Sequence, residues 1–220
     1  FLSNAREKFN FMKIIRQINF YRRLFKLLKG SLRSLSQLPH TKNLQPYFEK
    51  YRASGVNAHN SATLDIGCGT IPRNPFSATT TYGIDIRENL EKNIKYADLT
   101  VEKIPYPDAH FDYITAYDFL EHVPRIIYLP ERRFPFIELM NEIHRTLKPN
   151  GIFFSHTPIY PFSPAFRDPT HVNIITEETF PMYFDDKTQA GKMYGFNGSF
   201  KVLEQVLVVP HLISILQKTA

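Results

Sequence analysis

Residues 62–70 read ATLDIGCGT, an apolar stretch that runs into a carboxylate and then into two glycines separated by one residue. A short apolar run bounded by glycines is typical of a buried strand that ends in a tight turn. Because glycine has no side chain, a ligand can approach the backbone of such a turn closely. The stretch therefore predicts a strand of an α/β sheet with a nucleotide-type ligand at its carboxyl end.

Apolar runs separated by polar connections continue from this stretch to the end of the chain. The last two runs are joined only by Pro210, which predicts an antiparallel hairpin, and the region of about 131–147 predicts a helix that ends before LKPNG. The expected fold is α/β, a Rossmann-like, doubly wound, mostly parallel seven-stranded sheet with this C-terminal hairpin and an N-terminal helical extension. The predicted strands cover residues 62–67, 81–86, 94–98, 111–117, 151–157, 199–209 and 211–217.

Charge divides the chain into two parts. Residues 1–60 contain 12 basic and 2 acidic residues, whereas residues 61–220 contain 15 basic and 19 acidic residues. Apolar residues recur at helical spacing over 6–29, with basic residues around them. The composition predicts a basic amphipathic helical extension over 1–60 and a ligand-binding domain over 61–220.

Two classes of ligand fit the glycine turn at first sight. A dinucleotide motif needs a third glycine and a following helix, but Pro72 stands at the third position and Pro75 disfavours the helix. Asp65 would repel a pyrophosphate, by roughly 3 kcal/mol at about 5 Å and an effective dielectric of 20. The same carboxylate would attract the sulfonium and ammonium groups of S-adenosylmethionine (SAM). Asp85, at the end of the next strand, stands where a carboxylate binds a ribose diol.

Four stretches in order resemble the class I SAM-dependent methyltransferases, in their small-molecule, type 11-like branch. They are LDIGCGT, YGIDI, YADLTVEKIPYPDAHFDYITAYDFLEHV and NEIHRTLKPNGIFFSHTP. The resemblance covers about residues 62–157. Over residues 158–220 the chain resembles the family only in its predicted order of strands. The resemblance implies SAM as cofactor and S-adenosylhomocysteine as product.

The resemblance also assigns roles to residues of the turn and of the strand ends. Asp65 would hold the ammonium end of SAM, directly or through water, and Asp85 would bind the ribose with Ile86 packing on adenine. Asp98 would accept from the adenine amino group. The remaining implied cofactor residues are Gly67, Cys68 and Gly69 along the methionine portion, Leu99 at the adenine ring, and Tyr117 with Asp118 at the sulfonium.

One departure from the family is the connection Thr70–Thr80, which is too short for the usual helix. Asn74 and Pro75 suggest a loop there, which would leave one face of the sheet under-covered. We expect the N-terminal helix either to cover that face or to cap the cofactor pocket.

A hydroxyl acceptor would call for a general base, most often histidine, beyond the carboxyl ends of the strands. His122, His156 and His171 qualify by position, and Asp168 could orient His171. We assign His122, His171 and Asp168 as catalytic, although each histidine could equally serve only as a hydrogen-bonding group. A metal site at Glu121, His122, Asp168 and His171 has no recognisable spacing signature, so no metal is expected.

The acceptor is narrowed by exclusion. The chain lacks the DPPY and NPPY stretches of amino-methylating DNA enzymes. It also lacks the Pro-Cys nucleophile of enzymes that methylate cytosine at C5, because its only cysteine, Cys68, lies in the glycine turn. The expected function is methyl transfer to a hydroxyl of a small molecule or a glycan, with nucleic acid less expected. The alternatives are an RNA or protein methyltransferase that docks through the basic arm, and a SAM-binding subunit without catalysis. A cytoplasmic protein is expected, with residues 6–29 able to reach an anionic membrane surface.

Overall fold

The computed structural model describes residues 2–31, 33–52 and 60–219. The chain divides into two compact units, Phe1–Leu38 and Pro39–Ala220. All described strands belong to the larger unit, which begins well before residue 61. The functional division into an extension over 1–60 and a methyltransferase domain over 61–220 stays a prediction.

The smaller unit contains the long helix α1, Leu2–Ser31. Its apolar side chains are exposed where they are described: Ile14 by 53%, Ile18 by 48% and Phe25 by 69%. Met12 and Phe20 are also exposed, and at about 100° per residue they lie on other sides of the helix than Ile14 and Ile18, so apolar groups occupy more than one side. Among the described residues, no helix combines the length and apolar character needed to cross a bilayer.

The larger unit is built on a seven-stranded sheet of order β3-β2-β1-β4-β5-β7-β6. Neighbouring strands from β3 through β5 are parallel, β7 runs antiparallel to β5, and β6 runs antiparallel to β7. This arrangement confirms the predicted fold class. The strands are β1 Ala62–Ile66, β2 Thr80–Asp85, β3 Ile94–Tyr96, β4 Phe111–Tyr117, β5 Leu147–Pro158, β6 Phe200–Val208 and β7 His211–Lys218.

The start of β5 is the largest difference from the predicted strands. It begins at Leu147 and not at residue 151, because Leu147 pairs with Phe111 and the register then shifts before Ile152 pairs with Tyr113. The residues between form an irregular bulge that stays on the sheet. On β4, beside this bulge, Asp112 accepts from the Ala62 amide and from Lys148, at 2.8 Å each, and so fixes the start of β4.

Both faces of the central strand β1 are covered, and Leu64 and Ile66 are fully buried. On one side, helix α3 (Pro135–Thr146) buries an apolar stripe that includes Leu139, Met140 and Ile143. α3 ends before LKPNG, as predicted. The other helices of this unit are short: α2 Gln45–Tyr51, α4 Pro164–Arg167 and α5 Thr179–Tyr183.

No helix is found between β1 and β2, which confirms the predicted loss, and α2 covers the exposed face instead. Phe48 of α2 meets Phe76 edge-on at 5.5 Å between ring centroids, and Phe76 stacks on Tyr113 at 4.5 Å. Asn74 holds the loop by donating to Ala78 and accepting from its amide, at 2.8 Å each. We expected the N-terminal helix to cover this face of the sheet. Within the larger unit, α2 and the loop itself cover it.

Candidate active site

The glycine turn lies at the carboxyl end of β1. Gly67 and Gly69 adopt φ values of 64° and 65°, a left-handed conformation that glycine adopts without strain. A Cβ at Gly67 would lie 2.3 Å from the ring of Phe119, so glycine is required for this close packing. A Cβ at Gly69 would meet none of the described atoms within 4 Å. The turn therefore has one crowded side and one open side, where a ligand can reach the backbone.

Cys68, between the two glycines, is a packing residue. Its amide donates to the Ile84 carbonyl at 3.1 Å, and a Cβ at Gly83 would lie 2.6 Å from its sulfur. Burial raises the pKa of the Cys68 thiol to about 12. The thiol is therefore neutral near pH 7 and is not a nucleophile.

Asp85 lies beside the turn, at the end of β2, and is 8% exposed. One carboxylate oxygen accepts from the Gly69 amide at 2.9 Å, and the other accepts from the amide and Nε of Arg87 at 3.1 and 3.0 Å. Ile86, the next residue, is 65% exposed. This placement fits the predicted ribose carboxylate with an apolar platform for adenine.

The predicted adenine residues follow β3. Asp98 accepts from the Thr100 amide at 3.0 Å, and its own amide donates to Glu102 at 2.7 Å. Leu99 is buried, which leaves its backbone rather than its side chain for ring contacts. The roles of Asp98 and Leu99 stay predictions.

Asp65 is fully buried under the turn. One oxygen accepts from the Thr115 hydroxyl at 2.7 Å and the other from the Arg73 amide at 2.8 Å. Burial raises the pKa of this carboxyl to about 6. The two hydrogen bonds act in the opposite direction and lower the pKa, but by less than burial raises it. Both oxygens of Asp65 thus already accept one hydrogen bond from the protein. A hydrogen bond from the ammonium group of SAM would be an additional one.

Tyr117 ends β4 with Arg73 above it, the guanidinium lying 4.6 Å from the ring centroid. Arg73 also lies 3.8 Å from Asp65. Burial raises the pKa of the Tyr117 hydroxyl, so Tyr117 is a neutral, partly buried wall of the site. Sequence reasoning missed Arg73, because only the folded loop brings it back to β4.

Asp118 follows Tyr117 and forms, with His156 and His211, the exposed cluster. The carboxylate lies 3.2 Å from His156 Nδ1 and 3.3 Å from His211 Nε2, and the two imidazoles stack at 4.2 Å. Partial burial acts to raise the pKa of Asp118, but the hydrogen bonds from both histidines outweigh it and lower the pKa below its ordinary value. His211 was also missed, since its position depends on the register of β7 against β5.

Glu121, His122 and His171 form a second group, the buried cluster. The rings of His122 and His171 meet edge-to-face at 4.7 Å between centroids. The Asp168 carboxylate lies 4.0 Å from His171 Nε2 and accepts from the Thr170 hydroxyl at 2.6 Å. The structure thus brings together all three residues predicted to be catalytic. Burial raises the pKa of Glu121 to about 8.

A cavity of about 780 Å³ lies among the segments that follow β4 and β5. Arg125, at its wall, donates to Asn173 at 2.7 Å, and Asn173 donates to the Leu120 carbonyl at 3.0 Å, next to the buried cluster. Six of the fourteen lining residues are aromatic, and those that follow β5 in the chain are Tyr160, Tyr183, Phe184 and Tyr194.

Comparison with known proteins agrees with this geometry. The curated demethylmenaquinone methyltransferase of Geobacillus stearothermophilus is 29% identical over 40% of this chain, and the match spans 42% of that protein's length. Among solved structures, PH0226 from Pyrococcus horikoshii is 18% identical with a TM-score of 0.51, covering 80% of this chain and 88% of its own. The [4+2]-cyclase SpnF is 16% identical with a TM-score of 0.51, covering 90% and 94%. These two likenesses show the fold alone.

The family model that describes a methyltransferase domain matches residues 42–161, from the segment before α2 to just past β5. That range holds the glycine turn, Asp85, Asp98 and the end of β4, which are the elements predicted to bind the cofactor. The cofactor of this family is SAM, and S-adenosylhomocysteine is the product. The chain belongs to the SAM-dependent methyltransferases.

Proposed function

We propose that this protein transfers the methyl group of SAM to a hydroxyl of a small molecule or a glycan. The observation that carries the proposal is the convergence of His122, His171 and Asp168 beyond the carboxyl end of β4. These three residues do not line the aromatic cavity, but Arg125 at its wall is linked to the segment before His122 through Asn173. Hydroxyl methylation needs a group that removes a proton, and imidazole is the most common one. A cavity beside that group would hold the acceptor.

The turn and its neighbours fit the cofactor. The open side of Gly69 leaves room for the methionine portion, and the Asp85 carboxylate stands where a ribose diol would be bound. When bound, SAM supplies an electrophilic methyl group on a positively charged sulfur. The carboxylates of Asp85 and Asp118 provide negative charge on the strand ends where that cation would lie.

The protein's own part in the reaction is to hold the acceptor and to accept its proton. As the acceptor oxygen forms its bond to the methyl carbon, the hydroxyl proton passes to an imidazole nitrogen of His122 or His171. Thr170 and Asp168 hold His122 through a chain of hydrogen bonds, which fixes the ring in place. Positioning of this kind supplies much of the rate of a displacement at carbon.

The cavity favours an acceptor with a flat or apolar face. Tyrosine and phenylalanine rings can stack on the apolar face of a sugar or on a phenolic ring. Arg125 and Glu178 add charged groups at the wall, which can orient a polar acceptor. This lining supports a sugar, phenolic or lipid-like acceptor.

The basic helix α1 is a candidate for contact with an anionic membrane surface. Its exposed apolar side chains and its basic residues are the two features that such contact needs. Co-sedimentation with vesicles of phosphatidylglycerol and phosphatidylcholine should be salt-sensitive and should be lost when residues 1–38 are removed. Binding to RNA instead of vesicles would support the RNA-directed alternative.

The experiment has two arms. Calorimetry should detect SAM binding that Asp85→Ala weakens by about 10- to 100-fold, as expected for the loss of a charge-assisted hydrogen bond. Release of S-adenosylhomocysteine is then followed with pooled sugar and phenol acceptors, and the methylated product is located by mass spectrometry. SAM binding without turnover on any acceptor class would favour the SAM-binding subunit. Methylation of RNA or protein would contradict the acceptor proposed here.

A further inference from the structure

Glu121 is the most unusual polar residue that the structure describes. It is 1% exposed, and both of its carboxylate oxygens are buried without a hydrogen-bond partner among the described residues. Leaving a buried charged or polar group unpaired costs roughly 1–3 kcal/mol or more. An unpaired buried group in a folded protein calls for an explanation, and a bound ion is one.

Each of the two histidines beside Glu121 has one ring nitrogen available to a ligand. The Thr170 hydroxyl has one proton, which it donates to Asp168 Oδ1 at 2.6 Å, so it accepts from His122 Nδ1 at 3.0 Å. His122 Nδ1 therefore carries the proton, and the lone pair of the ring lies on Nε2. On His171, Nε2 faces Asp168, and Nδ1 is buried without a partner among the described residues.

One ligand atom from each of Glu121, His122 and His171 lies within 4.8 Å of the others. An ion with bonds of about 2.0–2.2 Å joins such atoms after small side-chain rotations. The two chain segments are also held together by the backbone, since the amides of Val172 and Asn173 both donate to the Glu121 carbonyl at 2.9 Å. The three groups are thus arranged before any ion binds.

We propose that Glu121, His122 and His171 bind a divalent transition-metal ion. Two imidazoles and one carboxylate are a ligand set that suits Zn²⁺ and its neighbours, with remaining positions open to water or substrate. The hydrogen-bond chain from His122 through Thr170 to Asp168 orients the ligand from outside, as is usual around metal-bound histidine. Mg²⁺, which prefers oxygen ligands, fits this set poorly.

No metal is expected from the sequence, because His171 lies 49 positions after His122 and no local spacing marks the set. The metal-free account is a neutral Glu121 that remains unpartnered in the core. It explains neither the free nitrogen of His171 nor the alignment of His122 toward the same space. A bound metal ion would account for the unpartnered carboxylate of Glu121, for the free nitrogen of His171 and for the position of His122.

The consequence for the reaction rests on the proposed function. A hydroxyl bound to a divalent cation loses its proton more readily than a free one. The acceptor oxygen would bind the open metal position, release its proton to water and then form the bond to the methyl carbon, while the carbon–sulfur bond breaks and its electron pair stays on sulfur. His122 and His171 would then act as ligands rather than as bases.

The test uses the full chain without an affinity tag, stripped by a chelator and titrated with Zn²⁺ by calorimetry. One equivalent should bind, and Glu121→Gln and His171→Gln should each weaken binding at least about 100-fold, against the 10- to 100-fold typical of outer partners. Co²⁺ should give a visible absorption spectrum that both variants lose. The matched control is His156→Gln in the exposed cluster, which should leave both readouts unchanged.

Several outcomes would overturn the site: no stoichiometric binding, wild-type affinity in both cluster variants, or loss of binding only in His156→Gln. Thermal unfolding distinguishes a variant that has lost a metal ligand from one that has lost its fold. A variant that still unfolds cooperatively but whose unfolding midpoint Zn²⁺ no longer raises, as it should raise that of the wild type, has lost a ligand. Metal binding without methyl transfer would leave the site standing and remove the proposed function. Methyl transfer without metal binding would do the reverse.

Discussion

The exposed cluster and the buried cluster use the same side-chain types to opposite effect. Asp118 has a 51% exposed side chain and two histidine partners, whereas Glu121 is 1% exposed and has no hydrogen-bond partner among the described residues. In the exposed cluster the carboxylate and imidazoles satisfy one another, so the group is complete as it stands. In the buried cluster both oxygens of Glu121 and Nδ1 of His171 have no hydrogen-bond partner among the described residues. A complete cluster suits electrostatic and proton-handling roles, and an incomplete one indicates a ligand.

Catalysis should separate the clusters most strongly. Replacing His122 or His171 by Ala should lower kcat by about 10²- to 10⁴-fold, the range for loss of the group that activates the acceptor. His156→Ala should have a much smaller effect, because His156 is engaged with Asp118. Steady-state kinetics at saturating SAM measure this, with SAM affinity as the control for folding. A larger effect at His156 would reverse the assignment of the two clusters.

Removing the carboxylate charge should change stability in opposite directions in the two clusters. Glu121→Gln in metal-free protein should raise the free energy of unfolding by about 1–3 kcal/mol. Burial raises the pKa of Glu121 to about 8, so at pH 7.5 the carboxyl must take up a proton on folding, a cost that a neutral amide avoids. Asp118→Asn should lower it slightly, because it weakens two hydrogen bonds. Urea unfolding at pH 7.5 with a chelator present compares the two variants. Destabilisation by Glu121→Gln would mean that Glu121 has a partner in the metal-free protein.

The orienting role of Thr170 predicts an intermediate effect. Thr170→Val keeps the shape of the side chain but removes the link from His122 to Asp168, so Zn²⁺ affinity should fall by about 10-fold. Thr170→Ser, which retains the hydroxyl, is the matched control and should bind as the wild type does. Competition with a chromophoric chelator gives both affinities. Equal weakening in both variants would indicate a packing effect instead.

The smallest effect concerns acid sensitivity at Asp118. Its pKa is lower in the folded than in the unfolded protein, so its stabilising contribution is present above the unfolded value near 4 and is lost as the pH falls from about 5. Because the side chain is half exposed, the contribution should stay below about 1 kcal/mol. Asp118→Asn should reduce the loss of stability between pH 5 and pH 3. Thermal midpoints over this range, compared with those of Asp186→Asn at an exposed carboxylate, provide the check.

The sheet was predictable because each strand is marked locally by its own apolar run, and the short connection after Gly69 showed the missing helix. Cover by α2 was not predictable, since Phe48 meets Phe76 only after folding. Asp168 and His171 are three residues apart, so their proximity could be predicted from spacing.

Contacts that depend on strand register could not be predicted in this way. Asp65 was expected to face the cofactor, but its bond to Thr115 depends on the pairing of β1 with β4. His211 reaches Asp118 only through the pairing of β7 with β5. The incomplete coordination of Glu121 depends on burial, which residue type and spacing alone do not determine.

The position of His211 also has a consequence for the chain's C-terminal hairpin. His211 is the first residue of β7 and pairs with Pro158, directly after a connection of two residues, Val209 and Pro210. Successive side chains of a strand point to opposite faces, so a one-residue insertion or deletion at this connection that shifts the register would turn the imidazole away from Asp118. The length of a surface turn would then determine the ionic composition of the cluster at the carboxyl end of β4, and relatives that differ there would differ in local charge while keeping the same sheet.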